Sequence, residues 1–143
     1  MSYIIRKTFS IAMGHILEDA YTKKCCQLHG HTYTIELELY GEDLNEDNMI
    51  ADYTYVKDIF NKKIKDVYDH ATIIPPKWHG KFKNIPGVIE VHFNPTAEAI
   101  AQYFYDLLVY ALSTMEYYLS AVVVKETDSN YACYRPEPGS RRS

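Results

Sequence analysis

The sequence has little of what marks a secreted, membrane-spanning or nucleic-acid-binding protein. It has three cysteines, an odd number, and Cys25 and Cys26 are adjacent, which does not fit a disulfide framework and favours a reducing compartment. Residues 1–7 lack the apolar core of a signal peptide, and no apolar run approaches the ~20 residues of a membrane span. The formal net charge is −4, so no broad basic surface is available for nucleic acid. We therefore expect a cytoplasmic protein that binds neither membranes nor nucleic acid.

What the sequence contains fits one globular domain. The 143 residues are 47% hydrophobic, which is enough chain and apolar surface for a single core. We expect this domain to cover residues 1–135. The last residues, 136–143, have no core-forming side chain, and we expect them to form a disordered tail.

The spacing of apolar residues predicts an α+β fold in the order β-β-α-α-β-β. The predicted elements are strands over 3–13 and 31–40, helices over 54–67 and 97–114, and strands over 117–126 and 131–134. A further short strand is suggested over 88–93. This order predicts an antiparallel sheet with two helices on one face. Because the edge strands of such a sheet are unpaired, it also favours self-association into a barrel of several subunits.

The stretch from Cys25 to His31 holds the densest set of metal-ligating side chains. On extended backbone His29 and His31 leave the same face, roughly 7 Å apart at Cα. His15 lies just past the first predicted strand and shares the parity of its apolar residues. A lone His-x-His pattern also occurs by chance, so the third histidine is what favours a metal. Three histidines with an open position are typical of catalytic zinc, whereas a structural site closes its shell with a fourth protein ligand.

Cys25 and Cys26 are candidates for a base or nucleophile. A nearby cation or metal lowers the pKa of a thiol, and Lys23 and Lys24 directly precede the pair. The spacing does not rank one cysteine above the other, and cysteine also occurs as a small apolar packing residue. Lys23 is in turn either a phosphate contact or a solvated surface charge.

Two acidic residues could also serve a reaction. Asp69 and His70 close the first predicted helix, where they form either a proton relay or a surface acid beside a helix-end histidine. Glu126 ends a buried strand beside Thr127, with the parity of the inward-facing residues. Its carboxylate could accept two N–H donors from a planar heterocycle, although an exposed strand-end acid is the simpler alternative.

Six short motifs together resemble the 6-pyruvoyl-tetrahydropterin synthase / 6-carboxytetrahydropterin synthase family, over about 3–135. They are Gly14-His15 with Leu17, Cys25 with Leu28-His29-Gly30-His31, Met49-Ile50-Ala51-Asp52-Tyr53, Asp69-His70, Asn94-Pro95-Thr96-Ala97-Glu98 and Val124-Lys125-Glu126-Thr127. The resemblance implies a T-fold whose subunits pair their sheets into a barrel. It also implies a homohexamer, a dimer of trimers, with active sites between subunits.

The resemblance implies a role for each of these side chains. It makes His15, His29 and His31 the ligands of a zinc ion, and Cys25 the catalytic base. Catalysis would also use the Asp69–His70 relay and Glu126, the carboxylate that grips the pterin ring. Substrate binding would be shared by Glu126, Thr127, Thr96 and Lys23.

The position of Cys25, four residues before His29, resembles the 6-carboxy type, whereas the gap is longer in the animal 6-pyruvoyl type. The implied reaction converts 7,8-dihydroneopterin triphosphate into 6-carboxytetrahydropterin, acetaldehyde and triphosphate, in queuosine or 7-deazapurine biosynthesis. Three alternatives stay open at this point. They are a 6-pyruvoyl-tetrahydropterin synthase, a non-catalytic zinc-binding assembly module, and another pterin enzyme of the same fold, such as an aldolase.

Overall fold

The computed structural model describes residues 1–137, which form a six-stranded sheet with helices packed on one face. The strands are β1 (Tyr3–His15), β2 (His29–Gly41), β3 (Ala71–Ile74), β4 (Val88–Glu90), β5 (Tyr117–Lys125) and β6 (Tyr131–Tyr134). The helices are α1 (Tyr53–Phe60), α2 (Asp66–Tyr68) and α3 (Ala97–Leu108), and Asn61–Lys65 form a π-helical turn between α1 and α2. The strands lie in the order β4-β3-β1-β2-β5-β6. Most of the tail expected at 136–143 lies outside the described residues, and within it Pro136 is buried.

The long β1–β2 hairpin provides the face on which the core is built. As the alternation predicts, odd-numbered residues point toward the helices, and Ile11 and Tyr33 are almost fully buried. Both strands extend beyond their predicted ends, to His15 in β1 and back to His29 in β2. The antiparallel register places these two residues opposite each other, and His31 follows on the same face. All three histidines therefore lie on regular strand backbone.

The sheet is mixed rather than antiparallel, which corrects the predicted architecture. β3 pairs in parallel with β1, and β4 pairs in parallel with β3. β3 has only four residues, too few to show an alternation, and prolines follow it directly, so the segment resembles a loop in sequence. The strand suggested over 88–93 is present as β4. The other neighbouring pairs are antiparallel, as expected.

Both predicted helices are present, and each begins at a side chain that caps it. The Asp52 carboxylate accepts from the Thr54 amide at 2.7 Å, and the Thr96 hydroxyl accepts from the Ala99 amide at 3.2 Å. The helix predicted over 54–67 is the run from α1 through α2. The helix predicted over 97–114 ends earlier, with α3. None of the helices within residues 1–137 is long and apolar enough to cross a membrane.

A buried carboxylate ties three strands and the chain after β6 together. Glu38 of β2 has a side chain only 3% exposed. Arg6 donates to it at 3.1 Å and Ser120 at 2.8 Å, and Arg135 pairs with both of its oxygens. The hydrogen bonds from Arg135 are the largest cause that lowers the pKa of Glu38 to about 2, although burial alone would raise it.

Replacing Glu38 by glutamine is expected to lower the free energy of unfolding by about 2 kcal/mol at pH 7. The folded-state pKa of about 2 lies below the ordinary value of 4.5. This stabilisation is therefore complete above about pH 5 and is lost as the pH falls toward 2. Urea unfolding of both proteins from pH 7 down to pH 3 measures the difference. Glu36→Gln is the matched control, because Glu36 is one-third exposed and 3.8 Å from Arg6. A Glu38→Gln effect that stays constant with pH would contradict the ionic explanation.

Candidate metal centre

Three imidazoles converge at the end of the β1–β2 hairpin where residues 16–28 connect the two strands. His15 Nε2 lies 3.0 Å from His29 Nε2, and one ligand nitrogen from each of His15, His29 and His31 lies within 4.8 Å of the other two. The register explains this, because His15 and His29 are opposite each other and His31 shares their face. These three are the only such group among residues 1–137, so the predicted ligand set is brought together by the fold.

Backbone carbonyls fix the orientation of two of the rings. His15 Nδ1 donates to the Pro95 carbonyl at 2.7 Å, and His29 Nδ1 donates to the Gln27 carbonyl at 2.7 Å. A proton held on Nδ1 leaves the lone pair on Nε2, which is the arrangement that metal-binding histidines commonly use. Neither carbonyl could be identified from the sequence, because a backbone acceptor depends on position and not on residue type.

Burial keeps the His15 and His31 imidazoles neutral, as a metal ligand must be. The pKa of His15 is lowered to about 4, mainly by burial and also by the neighbouring His29 and His31, against the raising effect of the Pro95 carbonyl. Burial also lowers the pKa of His31, while Glu126 raises it and His29 lowers it. At neutral pH the His15 and His31 rings are therefore uncharged, and each has one nitrogen with a free lone pair.

The buried Nε2 atom of His31 makes no hydrogen bond within residues 1–137, although the Glu126 carboxylate oxygen Oε2 lies 3.1 Å from it. A buried polar atom without a partner is costly, and a cation held by three lone pairs would remove that cost. The donor set, the fixed Nδ1 protons and this unpartnered atom all fit a divalent ion. Three imidazole nitrogens suit a first-row transition metal or zinc better than magnesium or calcium, which prefer oxygen ligands.

Tyr33 forms the floor of the metal centre. It is fully buried, two residues beyond His31 on the same face. Its ring makes edge contacts with His31 at 5.3 Å and with His15 at 6.1 Å between centroids, and its hydroxyl lies 3.3 Å from His15 Nδ1. Burial raises the pKa of Tyr33, so the phenol stays protonated. The parity that Tyr33 shares with His29 and His31 is the sequence signal that it lies beside the site.

Glu126 lies directly against the histidines, as its parity predicts. Its Oε2 is 3.1 Å from His31 Nε2 and 3.7 Å from His15 Nε2. The residue follows β5 immediately, and its amide donates to the Asn130 carbonyl at 3.0 Å, which fixes the turn. The Thr127 hydroxyl accepts from the Asn130 amide at 3.1 Å and is exposed. The carboxylate is therefore at the metal centre, while Thr127 stabilises the turn that presents it.

Cys25 lies in a short 3₁₀ helix, Lys23–Cys26, just before β2. It is partly buried, and its carbonyl accepts from the Leu17 amide at 3.1 Å, which joins the two loop segments. Its sulfur is not a member of the compact ligand group, so Cys25 is not a fourth equivalent ligand. Lys23 is exposed and pairs at 3.7 Å with Asp19, also exposed. Its assignment to phosphate binding stays a prediction.

Asp69 and His70 form a pair at the start of β3. Asp69 Oδ1 accepts from the Ala12 amide at 2.9 Å, and its Oδ2 lies 3.2 Å from His70 Nδ1. The Ala12 amide is the main cause of the lowered pKa of Asp69, and His70 contributes. His70 has a φ of 69°, a left-handed backbone that is unusual for a non-glycine residue, and its ring is 82% exposed. Its backbone is held there because its amide donates to the Ala12 carbonyl at 2.6 Å.

A depression of about 350 Å³ has both His31 and His70 in its lining. Its floor contains Gly14 and Gly30, which face each other across β1 and β2. A Cβ on Gly30 would lie 3.1 Å from the Met13 carbonyl oxygen, so a side chain there would crowd the hairpin. Because Ala12, Gly14, Gly30 and Thr32 have the parity opposite to that of the three histidines, this depression lies on the other face of the hairpin from the imidazoles.

Thr96 stands beside the residue that orients His15. Its hydroxyl caps α3, and the preceding residue, Pro95, provides the carbonyl that accepts from His15 Nδ1. Thr96 thus has a structural role at the site, and its contact with substrate stays a prediction.

Comparison with known proteins gives one consistent result. The family described as 6-pyruvoyl tetrahydropterin synthase matches residues 4–137. The chain is 29% identical to a 6-carboxy-5,6,7,8-tetrahydropterin synthase of Aquifex aeolicus, over 96% of this chain and 100% of that one. It is 31% identical to the protein of the same name from Haemophilus influenzae, over 92% and 97%. Among solved structures, the Caenorhabditis elegans 6-pyruvoyl tetrahydropterin synthase superposes with a TM-score of 0.72 at 21% identity, over 96% and 97%.

Proposed function

Because the chain belongs to the 6-pyruvoyl tetrahydropterin synthase family, we propose that it is a zinc-dependent 6-carboxy-5,6,7,8-tetrahydropterin synthase. The substrates would be 7,8-dihydroneopterin triphosphate and water, and the products 6-carboxytetrahydropterin, acetaldehyde and triphosphate. The observation that carries the proposal is the group of three converging imidazoles beside a carboxylate, in a chain whose similar relatives bear that name. Queuosine or 7-deazapurine biosynthesis would use the product.

His15, His29 and His31 would hold the zinc through their Nε2 atoms, with the Pro95 and Gln27 carbonyls keeping two of the rings in place. Bound zinc supplies a Lewis acid that polarises hydroxyl and carbonyl oxygens of the substrate side chain. The buried phenol of Tyr33 closes the protein side of this centre, so substrate would approach from the opposite, open side.

The chain's own residues would bind the ring and move the protons. We assign Cys25 as the base that takes a proton from the substrate's side-chain carbon, because a thiolate is the reactive form of cysteine. Its backbone carbonyl accepts from the amide of Leu17, two residues after His15. His70 would carry a second proton, held by Asp69, whose position is fixed by the Ala12 amide. Glu126 would accept N–H donors of the pterin ring and so direct the side chain to the metal.

Three further residues are assigned to substrate binding. Thr127, Thr96 and Lys23 would contribute to substrate binding, with Lys23 meeting phosphate.

The 82% exposure of the His70 ring supports an active site completed by a second subunit. A homohexamer would provide that subunit and would also cover the edge strands, β4 and β6. Sedimentation showing monomer alone at micromolar concentration would contradict this assembly. The three free cysteines are consistent with a cytoplasmic location.

The experiment that tests the function is product identification. Purified protein loaded with zinc is incubated with 7,8-dihydroneopterin triphosphate, and the pterin product is identified by mass spectrometry while acetaldehyde is trapped as its hydrazone. We expect 6-carboxytetrahydropterin with one acetaldehyde per turnover. A chelated sample serves as the control and should be inactive. No pterin product from the zinc-loaded protein would reject the proposal.

The second candidate is a 6-pyruvoyl-tetrahydropterin synthase, favoured by the description of the matching family and by the C. elegans structure. It eliminates triphosphate and keeps the three-carbon side chain, so it releases no acetaldehyde. The same experiment therefore separates the two activities. A pterin of pyruvoyl mass without acetaldehyde would establish the second candidate.

A further inference from the structure

The connection between β3 and β4, residues 75–87, carries positive charge to which the proposed function gives no role. This segment, the lysine loop, contains Lys77, Lys81 and Lys83 and no acidic residue, in a chain whose net charge is −4. All three lysines are exposed, and none of them forms an ion pair within residues 1–137. Their ammonium groups are therefore free to meet an anion.

Hydrogen bonds hold the backbone of the lysine loop in place. The His79 ring donates through Nε2 to the Val91 carbonyl at 2.8 Å, which ties the middle of the loop to the residue after β4. The Gly80 amide donates to the Glu90 carboxylate at 2.6 Å. That carboxylate is the first acidic group after the loop, and it is engaged by the backbone rather than by a lysine. The loop therefore presents its positive charge on an ordered backbone.

The lysine loop leaves the sheet at the end where the candidate metal centre lies. β3 pairs in parallel with β1, and its third residue is opposite His15, so both strands end at the same edge of the sheet. The Lys77 amide donates at 2.7 Å to the carboxylate of Glu18, three residues after His15. The Glu18 amide in turn donates to Asn94 Oδ1 at 2.8 Å, and the next residue, Pro95, provides the carbonyl that accepts from His15. A short series of hydrogen bonds thus joins the lysine loop to the metal centre.

The segment that contacts the lysine loop also contacts the lysine already assigned to phosphate. Asp19 follows Glu18 directly, and its carboxylate lies 3.7 Å from the ammonium group of Lys23. Lys77, through its amide, and Lys23, through its side chain, therefore contact neighbouring residues from two different loops. Positive charges brought together in this way suit a ligand with several negative charges, such as a chain of phosphates.

Trp78 gives a second, independent indication that the lysine loop meets an anion. Its Nε1 atom is covered and makes no hydrogen bond within residues 1–137. An indole N–H is a donor only, and a buried donor without an acceptor is costly. An anion oxygen is the acceptor that this atom lacks, and a shift of the loop on binding would bring the two together. The Lys77 ammonium lies 6.0 Å from the centroid of the Trp78 ring, so both groups belong to the same part of the loop.

We propose that the lysine loop binds the triphosphate of the substrate, with Lys77 as the contact that adjoins the metal centre. This inference rests on the proposed function, because that function supplies the triphosphate. Lys81 and Lys83 add positive potential that attracts the polyanion, and Lys23 meets it from the other loop. The metal centre and the lysine loop then hold the two ends of the substrate side chain, which fixes the reacting carbons between them.

Trp78 is the only tryptophan of the chain, so its fluorescence reports binding at the lysine loop. Inorganic triphosphate is titrated into wild type, Lys77→Gln and Lys57→Gln, with sodium sulfate at equal ionic strength as the baseline. Lys57, an exposed lysine of α1, is the matched control. Each titration uses zinc-loaded and metal-free protein, because triphosphate also binds zinc.

We expect Lys77→Gln to bind triphosphate about 10-fold more weakly than wild type in both forms, the loss typical of one hydrogen bond to a charged group. Lys57→Gln should match wild type. Wild-type affinity in Lys77→Gln, or a wild-type fluorescence that shows no saturable response, would overturn the inference.

Steady-state kinetics test the same contact with the substrate itself. We expect Lys77→Gln to raise the KM for 7,8-dihydroneopterin triphosphate about 10-fold and to leave kcat within about 2-fold, because a contact made equally in the ground state and the transition state affects binding alone. Turnover with an unchanged KM would overturn the inference and leave the proposed function standing. Wild-type protein that binds inorganic triphosphate through Lys77 but releases no pterin product would reject the proposed function alone.

Discussion

Replacing Cys25 by alanine is expected to reduce turnover of 7,8-dihydroneopterin triphosphate by about 10²- to 10⁴-fold, the range for loss of a general base. Alanine has no group that can take the side-chain proton. Metal content should be unchanged, because the compact ligand group consists of the three imidazoles and does not include this sulfur. Acetaldehyde release in the steady state and metal content by emission spectroscopy, measured on the same sample, test both halves of the expectation.

Cys26 provides the matched control for this experiment. It lies next to Cys25, in the same 3₁₀ helix and with the same partial burial. Cys26→Ala should therefore turn over substrate at the wild-type rate. If Cys25→Ala is as active as wild type, Cys25 is not the base. If Cys26→Ala loses turnover instead, the proton is taken by the neighbouring thiol and the assignment of Cys25 is wrong.

Replacing His31 by alanine is expected to remove the metal and, with it, the activity. The substitution deletes the buried nitrogen Nε2, which makes no hydrogen bond within residues 1–137. It also removes one of three imidazoles whose ligand nitrogens all lie within 4.8 Å of one another. The loss of affinity should exceed the 10- to 100-fold typical of losing a group that only orients a ligand. Competition with a chelator gives the dissociation constant, and circular dichroism confirms that the fold is retained.

His92 offers a control for the loss of an imidazole as such. It is exposed, and its ring is close to His79, with the centroids 5.7 Å apart, outside the compact ligand group. His92→Ala should keep one metal ion per chain with wild-type affinity. A His31→Ala protein that still binds one ion per chain as tightly as wild type would contradict the three-histidine centre.

The elements that the sequence predicts well are those in which local pattern and tertiary environment agree. The alternation in β1 and β2 persists because one face of each strand packs on the helices, and the capping residues Asp52 and Thr96 act within their own helix turn. β3 could not be found this way. Its four residues are held by parallel pairing with β1, a partner more than 50 residues away, and nothing local distinguishes them from a loop.

The same distinction applies to charged residues. Glu38 has the parity of the polar face of β2, so its sequence position predicts exposure, yet it is buried because Arg135, 97 residues later, reaches across to it. The group of three histidines in the structure was indicated by spacing and residue type, and the family resemblance completed its assignment as a ligand set. The approach of Glu126 to His31 depends on how β5 and its turn meet β2, which parity suggests but does not determine.

One consequence concerns the order in which the molecule acquires its parts. The His15 ring is oriented by the carbonyl of Pro95, 80 positions later, and the adjoining Thr96 begins α3. In an unfolded chain, bringing these positions together has a large entropic cost. Tight metal binding would therefore follow the docking of the C-terminal half. An ion bound at that late stage would hold the His15 loop end and the start of α3 together, so a chelator that extracts it would loosen the start of a helix far from His15 in sequence.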